Sequence, residues 1–454
     1  MIAAARLAAF DALTDVAEHG TDLGEAIARA RRSLSDDRDR SLVLELVAGT
    51  LRMQSAIDYQ LAERVSRPLA RLDAAVLRVL RIGAFQLIYL DRIPAAAAID
   101  DAVELTRRSR ASSAAGLVNA VLRALHRDRD RLTWPERPVG GDSETYRAAL
   151  VRHLAIVHSH PGWLVDRWMT RHGIEETERW LAFNNRAPAL CLTPNRAAVS
   201  RETLAKELAD AGVQTNPTRV APEGLVVSSG HALSTRAFVE GRCLVQDEAS
   251  QLIAELVHAA PGSRVLDVCA SPGGKTVRFA AGVGERGMVV ACDVRPHRLD
   301  LLRKTLSRCH AKGVRVVRIP SASAMPFREG AFDEVFIDAP CSGLGTIRRD
   351  PDIRWKRAPT DLARFAATQR GLLARAADLV RGGGRVIYST CSSEPEENEE
   401  VVEQFLFDRP DFTLADVHHT WPFRDELEAF YGAVLLRAEP SSRTFVANLR
   451  REPS

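Results

Sequence analysis

The sequence predicts a multidomain fold: an all-α N-terminal domain, a small α/β middle domain, and a C-terminal α/β domain built on a doubly wound parallel sheet. Three observations predict it. Helical periodicity dominates residues 1–133; a proline- and glycine-bearing stretch follows; and from about residue 244 short apolar runs alternate with helical segments. A chain of 454 residues is also too long for one ordinary core.

Taken in order, "LDAAVLRVLRIGAFQLIYL" spaces Leu72, Val76, Val79, Leu80 and Ile82 as one helix face, with arginines between. "AAAIDDAVELTRR" and "GLVNAVLRALHR" repeat the pattern. Residues 134–149, with Pro135, Pro138, Gly140 and Gly141, read as a linker. Residues 150–240 mix signals. "PGWLVDRWMTRHG" and "RETLAKELADAG" read as helices and "GLVVSS" as a strand. Residues 241–454 carry "RVLDVC", "GMVVACD", "VRVVRI", "EVFIDA" and "RVIYST", runs suited to buried parallel strands. Ligands of such sheets lie at the carboxyl ends of the strands.

Composition narrows the class. The chain is 46% hydrophobic and 27% charged, as a globular protein is. No apolar run is long enough to span a bilayer, and the N-terminus, interrupted by Arg6 and Asp11, does not read as a signal peptide. A cytoplasmic monomer without membrane contact is expected. The net charge of +3 decides nothing about nucleic acid. Seven cysteines show neither CxxC pairs nor zinc spacing, so no metal is expected and the thiols read as buried or catalytic.

"RVLDVCASPGGKT" (264–276) ends like a phosphate loop. That loop requires a first glycine where this chain has Cys269, so the nucleotide-triphosphatase reading is weak. Gly273 and Gly274 still let a ligand approach the backbone. About 20 residues on, Asp293 ends the next strand, at the spacing where an acid receives ribose hydroxyls. A glycine loop with a distal acid suits NAD or S-adenosylmethionine alike.

The thiols separate these. Asp338 and Cys341 end the fourth strand in "FIDAPCSGLG", and Cys391 ends the fifth in "RVIYSTCSSEPEEN". Both should open onto the ligand crevice. Ser393 and Glu396 are spaced as a capping box, which would put a helix N-terminus beside Cys391. A thiolate next to a sulfonium methyl donor suits C5 methylation of a pyrimidine. Addition of sulfur to C6 turns C5 into an enamine-like nucleophile. A second thiol can assist release.

"CASPGGKT", "DAPCSGLGTIRRDPDIRW" and "YSTCSSEPEEN" together resemble the Sun/Fmu family of RNA (cytosine-C5) methyltransferases. "RVLRIGAFQLIYLDRIPAAAAIDDAVELTRR" and "GLVNAVLRAL" resemble a NusB-like helical RNA-binding domain. The resemblance implies a Rossmann-like class I methyltransferase domain with S-adenosylmethionine as cofactor. It implies an RNA substrate, small-subunit rRNA before tRNA. Cys269, Ala270, Ser271, Pro272, Gly273, Gly274 and Lys275 would form the cofactor loop. Asp293 would take the ribose, Asp338 the methionine end, and Arg298 would support the site. Cys391 would be the nucleophile and Cys341 would assist release. Three positions depart from the family. Ser321 stands where an aspartate is usual, which should weaken cofactor binding by about 1 kcal/mol, one hydrogen bond's worth. "SSRTFVANL" (441–449) replaces the usual C-terminal turn, and only Asn195 of "LTPNR" matches the middle-domain motif. A non-catalytic RNA-binding scaffold is the alternative these changes leave open, although both thiols are kept.

"IRRDPDIRWKR" sets Arg348, Arg349, Arg354 and Lys356 around Trp355. Basic side chains neutralise phosphates and an aromatic can stack on an unpaired base, so this segment is expected to border the substrate crevice and bind RNA. "RRSRASS" (107–113) is a second basic stretch.

Overall fold

A computed structural model describes residues 2–141, 143–321 and 323–439. It divides into two compact units. Of the described residues, one unit holds those up to Pro188 together with 346–359 and 421–426; the other holds those in 189–345, 360–420 and 427–439.

The first unit is helical. Its core is the apolar face of successive helices; Ala74–Tyr89, for example, buries Val76, Val79, Leu80 and Ile82. Asp73 starts that helix by accepting the Ala75 N–H at 2.8 Å, which satisfies one of the open N-terminal donors. One reading changes here. Helix Glu144–Val157, capped by Ser143, begins inside the stretch read as linker. The proline and glycine signals end at Gly141, and the helix follows at once. The segment Gly162–Asn184 also packs in this unit and breaks at Gly173, whose φ is +81°.

The second unit contains two sheets. The smaller is antiparallel, with order β2-β3-β1-β4: β1 is Cys191–Pro194, β2 Gln214–Pro217, β3 Leu225–Ser229 and β4 Cys243–Val245. The larger has order β10-β11-β9-β8-β5-β6-β7. Here β5 is Arg264–Asp267, β6 Met288–Asp293, β7 Val314–Arg318, β8 Phe332–Asp338, β9 Val380–Thr390, β10 Phe412–Thr420 and β11 Phe430–Arg437. The first five of these in chain order pair in parallel. β10 and β11 add an antiparallel edge that the sequence reading does not include. Alternate residues of β8 and β9 enter separate apolar cores, Val335, Ile337 and Val386 on one face and Phe336 and Ile387 on the other. Burial on both faces is what a parallel sheet covered by helices requires. The turn at 441–449 lies outside the described residues.

Candidate active site

The loop after β5 is built around Asp267. Its carboxylate is fully buried; Oδ2 accepts the Thr276 hydroxyl at 2.7 Å, and Oδ1 has no hydrogen-bond partner. Burial pushes this carboxyl up to about 7. Gly273 sits at φ +107° immediately before helix Gly274–Val283, and a Cβ there would lie 2.8 Å from Leu302. The positive φ favours glycine there, and a Cβ would also have to displace the end of the Leu302 side chain. At Gly274 an added Cβ would meet nothing within 4 Å, so the backbone is open to a ligand. Cys269 and Ala270 complete the loop, and Ala270 N–H bonds the Cys292 carbonyl at 2.8 Å. Burial pushes the Cys269 thiol well up, which leaves it a neutral packing group.

Asp293 closes β6. It accepts Arg295 N–H at 3.1 Å and Arg298 Nε at 3.2 Å, and Arg298 Nη2 reaches back to the Ser271 carbonyl at 2.8 Å. Arg298 therefore ties the acid to the Ser271–Pro272 side of the loop. Lys275 Nζ lies 2.7 Å from Asp338 Oδ2. Burial alone would lower its pKa, but Asp338, with Asp267 and Cys391, outweighs that and the net direction is up. The ammonium is thus held by a carboxylate, which is a different task from clamping a γ-phosphate. Ser321 is exposed beyond β7, and its carbonyl accepts Arg375 Nη2 at 3.2 Å. These residues fit S-adenosylmethionine. Acids at the ends of β5, β6 and β8 can receive amino and hydroxyl groups, a buried carboxylate oxygen lacks a partner, and Gly274 leaves its backbone uncovered.

The thiols meet at the ends of β8 and β9. These strands pair with Asp338 opposite Ser389, and the two chains then turn towards each other. Cys341 Sγ lies 3.2 Å from Cys391 Sγ. The hydrogen bond to Cys391, together with burial, pushes the Cys341 thiol well up. Gly345 fixes the Cys391 backbone. Its N–H bonds the Cys391 carbonyl at 3.0 Å, its carbonyl accepts Ala429 N–H at 3.0 Å, and a Cβ there would strike the Ala429 oxygen at 2.0 Å.

The turn after Cys391 is not the expected capping box. Residues Pro395–Glu397 form a 3₁₀ turn and the α-helix starts only at Glu399. Ser393 Oγ bonds its neighbour Glu394 at 2.7 Å. Pro395 cannot donate a backbone bond, and Glu397 points inward. Glu397, Asn398 and Gln369 are the site residues that sequence reasoning passed over. Glu397 is fully buried and accepts from Ser342 N–H, the Ser342 and Ser392 hydroxyls and Gln369 Nε2, at 2.8, 2.5, 2.5 and 3.0 Å. The available signal was an acidic and amide cluster directly after a cysteine.

The basic segment is placed otherwise than expected. Residues 346–359 belong to the helical unit. Arg354 is fully buried and donates to the carbonyls of Ser159, Arg52 and Asn184 at 2.7, 3.3 and 3.4 Å and to Asn185 Oδ1 at 3.1 Å. Its guanidinium is committed to the protein and cannot serve a phosphate. Trp355 is half-buried, its ring N–H bonded to the Leu51 carbonyl at 2.7 Å. Arg348 lies 4.1 Å over the Phe183 ring, and Lys356 pairs with Asp352 at 2.7 Å. Arg349 is half-buried. Among the described residues no group of three or more His, Cys, Asp or Glu could hold a metal ion, and no helix is long and apolar enough to cross a membrane.

Three family models match the chain: 16S rRNA methyltransferase RsmB/F over residues 254–449, the NusB family over 3–127, and the RsmF/B-like ferredoxin-like domain over 160–234. The probable ribosomal RNA small subunit methyltransferase B of Bacillus subtilis (strain 168) is 33% identical over 83% of this chain and 82% of its own. The Pseudomonas putida ribosomal RNA small subunit methyltransferase B is 34% identical over 89% of each. The crystal structure of PH0851 superimposes with a TM-score of 0.81, at 25% identity, over 96% of this chain and 99% of that one. A methyltransferase homologue from Pyrococcus horikoshii does so at 0.55, with 26% identity, over 63% of this chain and 97% of its own.

Sheet order, glycine loop and strand-end acids define an S-adenosylmethionine-dependent methyltransferase carrying a helical NusB domain. More narrowly, the chain belongs to the RsmB/F family, among the relatives named ribosomal RNA small subunit methyltransferase B.

Proposed function

We propose that this protein methylates C5 of a cytosine in 16S rRNA, through a covalent bond between Cys391 and C6 of the base. One observation carries the reading: two thiols 3.2 Å apart at the ends of neighbouring strands, beside the Lys275–Asp338 pair. A fold retained only as a scaffold would need neither thiol. The names of the relatives, ribosomal RNA small subunit methyltransferase B, support the choice of rRNA.

S-adenosylmethionine, when bound, supplies the electrophilic methyl group. The loop Cys269–Lys275 and Asp293 would hold it, with Ser321 and Asp338 as further candidate contacts. The protein supplies the rest. Cys341 keeps its proton and donates it in a hydrogen bond to the Cys391 sulfur. That sulfur adds to C6, and the electron pair so displaced makes C5 nucleophilic. After methylation the C5 proton leaves to water. The C6–S bond then breaks, its electrons returning to Cys391 while the Cys341 thiol stabilises the departing sulfur. Lys275 and Asp338, one donor and one acceptor, lie beside Cys391 and can hold the polar edge of the base. A base in a duplex cannot reach these sulfurs, so the target is flipped out or already unpaired. For RNA beyond the target, Arg348, Arg349, Trp355 and Lys356 remain candidate contacts, whereas Arg354 does not.

Incubation with labelled S-adenosylmethionine and either small-subunit rRNA or tRNA, followed by mapping of the modified base, tests this. Label at C5 of an rRNA cytosine is expected. Transfer to tRNA alone would redirect the substrate, and transfer to neither would sink the enzymatic reading.

A further inference from the structure

We propose that Glu397 is the positioning residue for both thiols: its carboxylate ties the peptide after Cys341 to the peptide after Cys391 and places a negative charge behind Cys341. This inference rests on the two-thiol reading above.

Cys341 and Cys391 are 50 residues apart in sequence, yet a single buried side chain reaches the neighbour of each. Glu397 Oε1 accepts Ser342 N–H and Gln369 Nε2, while Oε2 accepts the hydroxyls of Ser342 and Ser392. Gln369 Nε2 also donates to the Pro340 carbonyl at 3.0 Å, so Cys341 is held from both sides. The adjacent Asn398 does the same for Cys391. Its Oδ1 accepts the Thr390 hydroxyl at 2.5 Å, and its Nδ2 donates to the Ser392 carbonyl at 3.0 Å. Each thiol is thereby the middle residue of a clamped tripeptide. This clamp acts on the sulfur separation together with the β8–β9 pairing and the contact between the sulfurs.

All four bonds to the Glu397 carboxylate come from neutral donors. Among the described residues no cation pairs with it, and its influence falls on Cys341. Cys391, just after β9, and Glu397 of the turn add to burial in raising the cost of a Cys341 thiolate, a backbone hydrogen bond with Gly343 lowers it, and Tyr388 of β9 is close enough to feel the same charge. Tyr388 is itself buried, with its hydroxyl on the Glu397 carbonyl at 2.6 Å, and stays neutral. Lys275, paired with Asp338 at 2.7 Å, interacts electrostatically with Cys391. The carboxylate thus opposes ionisation of the thiol whose task is to keep its proton. A merely structural acid would hold the turn without biasing the pair.

Glu397→Gln keeps size and most of the bonding but removes the charge. The expected readout is iodoacetamide alkylation of each thiol against pH in the free protein, followed by peptide mass spectrometry. In the unaltered protein Cys391 reacts first. In E397Q the onset for Cys341 moves to lower pH and the gap narrows. Turnover falls about tenfold with KM for both substrates within about twofold, and the alkaline limb of the pH–rate profile moves down with the Cys341 onset. A folded E397Q whose Cys341 onset and turnover match the unaltered protein overturns the proposal. Should E397Q not fold, Ser392→Ala decides. It removes one tether and keeps the charge, so turnover should fall several-fold with the alkylation order unmoved; unchanged turnover overturns the clamp. Cys341→Ala separates the two levels. If it traps no covalent RNA adduct, the nucleophile reading fails, while the alkylation order still tests Glu397.

Discussion

The stretch from Asp338 to Arg357 reads in sequence as one functional motif, but its two halves do different things. Residues 338–345 bring Asp338 and Cys341 to the end of β8 and lock Gly345 against Cys391. Residues 346–357 belong to the helical unit, where Arg354 binds three carbonyls and a side-chain amide. An arginine flanked by other arginines and a tryptophan has the composition of a phosphate contact. Buried among carbonyls it becomes a cap for polypeptide ends. Composition cannot separate these roles, because the partners at residues 52, 159, 184 and 185 are remote in sequence.

The sharpest way to break this comparison is Arg354→Ala. Removing a fully buried guanidinium strands its acceptors and leaves a void, so stability should drop by about 4 kcal/mol, read as a lower urea midpoint. The slope of log affinity for RNA against log salt should not change. A phosphate contact would behave the other way, with little lost stability and a slope reduced by about one.

A second effect lies in the glycine-loop half of the site. The Asp267 carboxyl is raised to about 7 by burial. A carboxyl raised in the native state binds its proton more tightly there than when unfolded, so its contribution is present below about pH 4 and is lost as pH rises to about 7. Stability should therefore fall across that window by a few kcal/mol beyond any other trend. Asp267→Asn should remove this component, which a series of urea titrations against pH would detect. An unchanged slope would show that Oδ1 is solvated or already partnered.

Lys275→Met leaves Asp338 without its cation. Methyl transfer should fall about thirtyfold in kcat/KM, the scale of one charged hydrogen bond, with no ATP turnover in either protein. Ser321→Asp is the smallest change. Restoring a carboxylate after β7 should tighten S-adenosylmethionine about fivefold by calorimetry, roughly 1 kcal/mol. No gain would mean that exposed position 321 does not reach the ligand.

What was legible follows from these distances along the chain. The loop from Asp267 to Thr276 is contiguous, so spacing alone exposes it, and Asp293 lies one βα unit further on. That Cys341 and Cys391 sit at strand ends was also readable. Their 3.2 Å approach was not, because it depends on the pairing of Asp338 with Ser389 and on the turn of each chain beyond the sheet. Glu397 was hidden for a related reason: its donors come from residues 342, 369 and 392, and in sequence it looked like one more acid in a capped helix. Among the strands, β10 was missed because most of its residues are exposed at the sheet edge, and β2 because it is short and largely exposed.

The central claim is the division of labour between the two thiols. Purified Cys341→Ala and Cys391→Ala proteins, each incubated with S-adenosylmethionine and small-subunit rRNA and run on a denaturing gel, test it directly. Cys341→Ala should accumulate a covalent RNA–protein adduct, and Cys391→Ala should form none and transfer no methyl group. An adduct in Cys391→Ala and none in Cys341→Ala would contradict the account and exchange the two roles.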